Sequence, residues 1–228
     1  MRNMRIRTIL LALVAVFAVS AVASATASAL PALPQLVNKE EKALVKTGFK
    51  GTSKESTFET KSGESVKCKA DTITGKITGL SSDEAEVKFT GCNAAAGLLK
   101  CKTKGAASGE IVLKETSTLV WLNEAKEEPG EDFSLPTNVV IECTGLASET
   151  LEVKGGTLCP TTKALSLKAT VTCKQSKGVQ EPTEYEMEGK KFKVITETEG
   201  KGTKAFKFEE SGLTGTDELE FEEEVKII

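Results

Sequence analysis

The sequence predicts an all-β fold: an antiparallel β-sandwich or barrel of many short strands, disulfide-stapled, after a cleaved signal peptide. Three observations predict it. Apolar and polar residues alternate with a period of two through most of the chain beyond residue 48. Glycines and turn residues punctuate that alternation at roughly ten-residue spacing. Six cysteines stand in a chain that opens with an export signal. No stretch of about twelve residues keeps a helical period.

The elements follow in order. Residues 1–29 read as the signal: Arg2, Arg5 and Arg7 precede an unbroken apolar run from Ile9 to Val19, and small residues lead to Ala27-Ser28-Ala29. Cleavage is expected after Ala29, with sites ending at Ala25 and Ala27 competing. The run dissolves into Ser20, Ser24, Thr26 and Ser28, short of the apolar length of about 20 residues that an anchor needs. Residues 30–47 form a lead-in, extended through the prolines of Leu30–Asn38 and then a short helix or turn over Lys39–Lys46. The remainder, 48–228, reads as a single β-rich domain.

Alternation marks strands at Ser65–Ala70, Ile73–Thr78, Glu84–Thr90, Leu99–Thr103, Val139–Cys143 and Leu151–Val153. It continues at Ala164–Cys173, Lys191–Thr196, Ala205–Glu209 and Leu219–Ile227. In Ala164–Cys173 one face carries Leu165, Leu167, Ala169, Val171 and Cys173, the other Ser166, Lys168, Thr170 and Thr172. The runs Glu110–Lys114 and Thr118–Leu122 suggest a hairpin turning at Glu115-Thr116-Ser117. Glu128-Pro129-Gly130-Glu131 suits a type II turn. The total is about 13 to 15 strands.

Cys68, Cys92, Cys101, Cys143, Cys159 and Cys173 are all expected in disulfides. The absence of histidine and of any CxxC pair argues against metal ligation. Strand phase and loop length favour Cys92–Cys101 and Cys159–Cys173, which leaves Cys68–Cys143 by remainder.

Composition removes whole classes of function. Without histidine, no Ser-His-Asp or Cys-His system can be assembled. All three arginines lie in the signal and the net charge is −3, so nucleic acid is not an expected partner. The only aspartates are Asp71, Asp83, Asp132 and Asp217, too scattered for a calcium loop. Glutamates are plentiful, and Glu127-Glu128, Glu209-Glu210 and Glu222-Glu223-Glu224 read as solvated faces or turns. Glu223 shares the phase of Leu219, Phe221, Val225 and Ile227, which a β-bulge or a strand end would explain. Trp121 reads as core and Tyr185, between two glutamates, as exposed. No catalytic, cofactor-binding or metal-ligating set emerges, and no membrane segment remains after signal removal.

Three segments carry a resemblance: SGESVKCKADTITGKITG (Ser62–Gly79), KGAASGEI (Lys104–Ile111) and KQSKGVQEPT (Lys174–Thr183). With these the chain resembles a family of uncharacterised secreted proteins of soil actinobacteria. The resemblance implies export and a β-rich fold, and it carries over no activity and no functional residue. The expected function is therefore that of a secreted, extracellular, non-enzymatic β-protein with a binding or structural role at or outside the cell envelope, where an envelope or protein partner would meet it. Two alternatives stand beside it. One is a β-barrel holding a small apolar ligand in an underfilled interior, which small residues such as Ala70, Gly75 and Ala169 would permit. The other is a carboxylate-based hydrolase, which needs two glutamates projecting into one cleft.

Overall fold

The structure is a computed structural model that describes residues 33–163, 166–202 and 205–228. The signal segment, with Ala27 and Ala29, lies outside the described residues. The lead-in begins with a two-residue strand, β1 (Leu36–Val37). Lys39–Lys46 is a turn rather than a helix. The Asn38 side-chain oxygen accepts the Glu40 and Lys42 amides at 2.9 and 3.0 Å, the short-range bonding by which asparagine competes with helix formation.

Period-two segments then become strands in quick succession. β2 (Gly48–Ser53), β3 (Ser56–Thr60), β4 (Ser65–Cys68), β5 (Ala70–Ile77) and β6 (Ser82–Thr90) come first. The short hairpin of β7 (Asn93–Ala94) and β8 (Leu99–Thr103) follows, then the long β9 (Glu110–Asn123) and β10 (Glu128–Ser134). Next are β11 (Val139–Gly145), β12 (Ser148–Pro160), β13 (Ser166–Ser176) and β14 (Val179–Glu181). The chain finishes with β15 (Glu184–Met187), β16 (Lys190–Lys193), β17 (Thr196–Gly202) and the 22-residue β18 (Phe206–Ile227).

All pairings are antiparallel, and following them from strand to strand traces two closed circuits. The first runs β2, β5, β6, β9, β10, β12, β13, β18 and back to β2. The second runs β3, β4, β7, β8, β11, β12, β17, β18 and back to β3. Each is an eight-stranded barrel, and β12 and β18 belong to both. The N-terminal half of β12 serves the second ring. Its Gly156–Pro160 half pairs with β10 in the first. The crossing falls at Gly155, whose φ of +93° a side chain would resist, and whose Cβ would lie 2.1 Å from the Ile195 carbonyl oxygen.

The first ring is closed between β12 and β13 by one bridge, Thr161 opposite Val171, and by the Cys159–Cys173 disulfide. One end of that ring is covered by the lead-in, where Leu36 and Leu44 pack with Ile77, Leu119, Val225 and Ile227. Outside it, the β15–β16 hairpin lays Tyr185, stacked on Phe192 at 5.4 Å, over Val120, Leu158 and Val194. Tyr185 is thus half-buried rather than exposed. Closure leaves little free edge among the described strands. β14 pairs only with β13 and β16 only with β15, and β16 is the charged run Lys190-Lys191-Phe192-Lys193, a composition that discourages edge-to-edge growth.

Several expectations are corrected. Glu115-Thr116-Ser117 is no turn: β9 runs straight through it, paired with β6 from Ser82↔Thr118 to Thr90↔Glu110. It contains neither glycine nor proline, and its polar residues face a neighbouring strand rather than solvent alone. Glu128–Glu131 likewise opens β10, with a bulge at Glu128/Pro129, and the turn lies earlier. There the Asn123 side chain accepts the Lys126 amide, and Glu127 takes a φ of +50°. The expected strands Ala205–Glu209, from Phe206 onward, and Leu219–Ile227 are parts of the single strand β18. Leu167 is exposed because the β13–β18 register slips between Ser166 and Lys168, which throws it off the inward phase. The same slip, opposite Phe221–Val225, is the bulge that turns Glu223 outward, where it accepts the Thr47 hydroxyl at 2.8 Å.

All six cysteines are bridged, and Cys159–Cys173 pairs as expected. Cys92–Cys101 and Cys68–Cys143 do not form; the bonds are Cys68–Cys92 and Cys101–Cys143. The register explains the difference. Adjacent strands β4, β7, β8 and β11 bring Cys68, Cys92, Cys101 and Cys143 into one row across the sheet. Lys67 lies opposite Asn93, Asn93 opposite Lys100, and Cys101 opposite Cys143. Joining the middle two would leave the outer two three strand spacings apart, about 14 Å. That is beyond the reach of about 7 Å for a disulfide. Joining neighbours from each end satisfies all four.

Candidate functional site

In a closed sheet every second side chain points inward, so the inward set decides what the interior is. For β2, β13 and β18 it includes Phe49, Val171, Cys173 and Leu219, and for β5 and β6 it includes Ile73 and Val87. These pack as an apolar wall. Gly75 carries no side chain there because the Phe49 ring occupies its place: a Cβ would lie 2.3 Å from that ring. Gly75 and Ala169 do face inward, as expected, whereas Ala70 falls on the other side because the chain turns at Lys69 between β4 and β5.

The wall does not meet in the middle. A cavity of about 140 Å³ remains, counted as the space open to the centres of water-sized molecules. That is many times the roughly 10–15 Å³ that one water needs. Its lining is mostly apolar and comes from both rings, with Phe58, Val66, Ile141 and Val153 from the second and Phe49, Val87, Phe133 and Phe221 from the first.

Into this apolar space project four acids on four strands: Asp83 on β6, Glu115 on β9, Glu131 on β10 and Asp217 on β18. A fifth, Asp71 on β5, stands behind Asp217. Ser53 on β2 lies opposite Asp71 on one side and Asp217 on the other. Its amide donates to Asp71 Oδ1 at 3.0 Å, and its hydroxyl donates to Asp71 Oδ2. Asp83 is served by Ser117, its cross-strand neighbour, whose hydroxyl donates to Oδ2 at 2.5 Å. Glu115 and Glu131 have no hydrogen-bond partner among the described residues. Glu131 is only 9% exposed, and Glu115 is half-buried and lines the cavity.

The electrostatics follow from burial and crowding. Removing a carboxylate from water favours its neutral form, and a like charge nearby adds to the effect. Burial, then the charges of Asp83, Asp217 and Asp71, push Glu115 up to about 8. Burial, then Asp83, Glu115 and Asp217, push Glu131 well above the usual carboxylate range. Asp217 is raised to about 7 by burial and by Asp71, against the Ser53 hydrogen bond. Asp83 is raised to about 6 by burial, against Ser117. Near neutrality the interior therefore holds protonated acids able to donate, beside acids able to take up charge. Among the described residues no three acids or cysteines converge as a metal-holding group, and no lysine lines the cavity.

The glutamates singled out from the sequence lie elsewhere. Glu127, Glu128 and Glu222–Glu224 are solvent-exposed, and Glu209 and Glu210 are half-buried at the surface beside Ser62 and Lys61. Trp121 is buried, as expected. The five interior acids, read from the sequence as scattered aspartates and turn glutamates rather than as one group, carry a signal of their own. Asp71 is in phase with Ile73 and Ile77, Asp83 with Val87 and Phe89, Glu115 with Ile111 and Leu119, Glu131 with Phe133, and Asp217 with Leu213 and Leu219. Three of the four aspartates in the chain thus sit on apolar phases, where solvated acids do not belong.

Asp132, the fourth, is half-buried under the β15–β16 hairpin near Tyr185, with Oδ1 unpaired and its carboxyl raised by burial. It lies on the opposite phase of β10 from Glu131 and does not line the cavity. Comparison of the chain with protein-family models, with curated proteins and with solved structures returns no match.

Proposed function

We propose that the protein is an exported, non-enzymatic binding protein that carries a small, mainly apolar ligand inside its β-barrel. The observation that carries this reading is the apolar cavity itself, built from inward residues of both rings. Well-packed interiors leave few voids larger than a water molecule, and ligand sites are typically apolar hollows with a few convergent polar groups. Export is supported by the signal-like first 29 residues, by the resemblance to secreted actinobacterial proteins, and by three disulfides, which persist in oxidising surroundings. Among the described residues no helix is long and apolar enough to cross a membrane.

A hydrolase reading draws support from Glu115 and Glu131, which project from neighbouring strands into one space. It is the weaker reading. A carboxylate pair working as acid and nucleophile needs one member ionised while the other keeps its proton, and here burial pushes both upward. The cavity lining is also mostly apolar, a poor match for a hydroxyl-covered sugar.

A native mass spectrum of protein collected from culture medium without reductant tests the carrier reading. The expected result is the processed chain with three disulfides plus an adduct that leaves on denaturation. After delipidation, the neutral probe N-phenyl-1-naphthylamine should brighten on addition of protein. A bare mass together with no brightening would refute the reading.

A further inference from the structure

We propose that the cavity selects an organic cation: a small molecule with an apolar body and a protonated amine, held by Glu115 and Glu131 with Asp83 and Asp217 facing the same space. This deepens the carrier reading and rests on it. Glu131 is nine-tenths buried, lines the cavity and has no hydrogen-bond partner. Glu115 is alike in the last two respects. A buried acid left unpaired is costly, and Glu115 and Glu131, unpaired on neighbouring strands, leave an acid pair that an incoming group can satisfy, with the serine-bonded Asp83 and Asp217 lining the same space.

Among the described residues no lysine lines the cavity to do so. The lysines that form ion pairs have exposed side chains on the outer surface, such as Lys76 with Glu84 and Lys88 with Glu110. Asp71 on β5 adds a further acid whose charge reaches Glu115 and Asp217, and the groups that face the acids from β2, β12, β13 and β17 are the uncharged Ser53, Thr157, Val171 and Thr196. Nor does the array suit a metal ion. The acids are distributed around an apolar hollow rather than gathered at a point. An ammonium group carried on a hydrocarbon body matches both halves of the site. Its charge-assisted hydrogen bonds to carboxylate are strong where water is excluded, and its body covers Phe49, Val87 and Phe221.

The acids then become the discriminating feature. An arriving cation stabilises their ionised forms and expels protons, so its affinity rises with pH through the range where they titrate. A neutral alcohol gains instead from the protonated acids, which donate to it, and its affinity falls over the same range. An anionic head is repelled throughout that rise.

Isothermal titration of delipidated protein with n-octylamine, 1-octanol and octanoate at about pH 6 and about pH 8 separates these cases. The three share one chain and differ only in the head. Octylamine is expected to bind at least about tenfold more tightly than octanol at the higher pH, to bind more weakly at the lower pH, and to release protons as judged from the buffer dependence of the heat. In the isosteric double variant Glu115→Gln/Glu131→Gln, its advantage over octanol should fall close to parity while octanol binding persists. Asp217→Asn serves as an independent variant with a smaller loss.

Octanol or octanoate binding as well as octylamine in the natural chain would overturn the cation proposal and leave the apolar carrier intact. Amine binding unchanged in the double variant would overturn it equally, by placing the amine elsewhere. Failure of all three ligands and of N-phenyl-1-naphthylamine to bind would sink the carrier reading itself, and the cation proposal with it.

Discussion

Glu115 sits in the middle of β9 with Leu113 before it and Ser117 and Leu119 after it on the same face. At that position a charge is costly and a neutral amide of the same shape is not. Glu115→Gln should therefore stabilise the ligand-free protein at about pH 8, where the natural side chain is either ionised in an apolar space or held protonated against its tendency in water. The melting temperature should rise by at least about 5 °C there and change little at about pH 5. Differential scanning calorimetry at the two pH values checks this, and an equal shift at both would show that the gain is unrelated to ionisation. Asp83 and Asp217 differ from Glu115 in having serine partners, so Ser117→Ala should lower stability by about 1–2 kcal/mol by stripping Asp83 of its donor. The residue scale thus separates acids that the fold satisfies from acids that it leaves open.

The elements show where the architecture depends on few contacts. Between β12 and β13 the first ring is held by one backbone bridge, one disulfide and the Thr170 amide donating to the Thr162 hydroxyl, whereas β6 and β9 share nine paired positions. Cys159→Ser/Cys173→Ser should cost about 3 kcal/mol, as expected for a short closed loop. It should also raise amide exchange selectively in Leu158–Thr161 and Ala169–Cys173. Urea melts read the first effect and exchange mass spectrometry the second, and exchange spread evenly over the barrel would show that the seam is not held by the bond.

Gly155→Ala tests the crossing of β12. The positive φ and the approach to the Ile195 carbonyl predict a loss of at least about 2 kcal/mol in the same melts. Alternation made most strands legible in the sequence, since each inward phase is written as apolar residues. The middle of β9 and the start of β10 look like turns in the sequence because an inward acid with polar neighbours and a Pro-Gly pair are local turn signals. The two corrected disulfides were misread because loop length says nothing about which strands are neighbours. Only the row of β4, β7, β8 and β11 decides them.

For the molecule as a whole, the interior acids set an unusual pH response. Below about pH 4 both folded and unfolded chains hold these protons, and the acids favour neither. As pH rises the unfolded chain releases its protons first, and stability drains until Asp83 near 6, Asp217 near 7 and Glu115 near 8 have titrated in the folded state. Glu110, Glu152 and Glu209 are shifted the other way, but they lie at the surface, where solvent screens them. The ligand-free protein should accordingly melt higher at about pH 5 than at about pH 8. A bound amine should narrow or reverse the difference, and a melt that peaked near pH 8 without ligand would contradict the burial of these groups.

The β-rich, disulfide-stapled class was readable at this scale because it depends on periodicity and cysteine count. The barrel closure was not, because it depends on which strand meets which. The acid-lined hollow was half-readable. Its residues declare themselves by phase, but their convergence appears only once β5, β6, β9, β10 and β18 are neighbours around one axis of pairing.

The sharing of β18 by both circuits has a consequence for how the chain is made and moved. β18 is the last strand in sequence order, yet neither barrel can close without it: its first half completes one ring and its second half the other. A chain synthesised from its N-terminus therefore carries two incomplete sheets until β18 arrives. If the chain is exported, as proposed, this strand order would keep either barrel from closing before β18 has crossed.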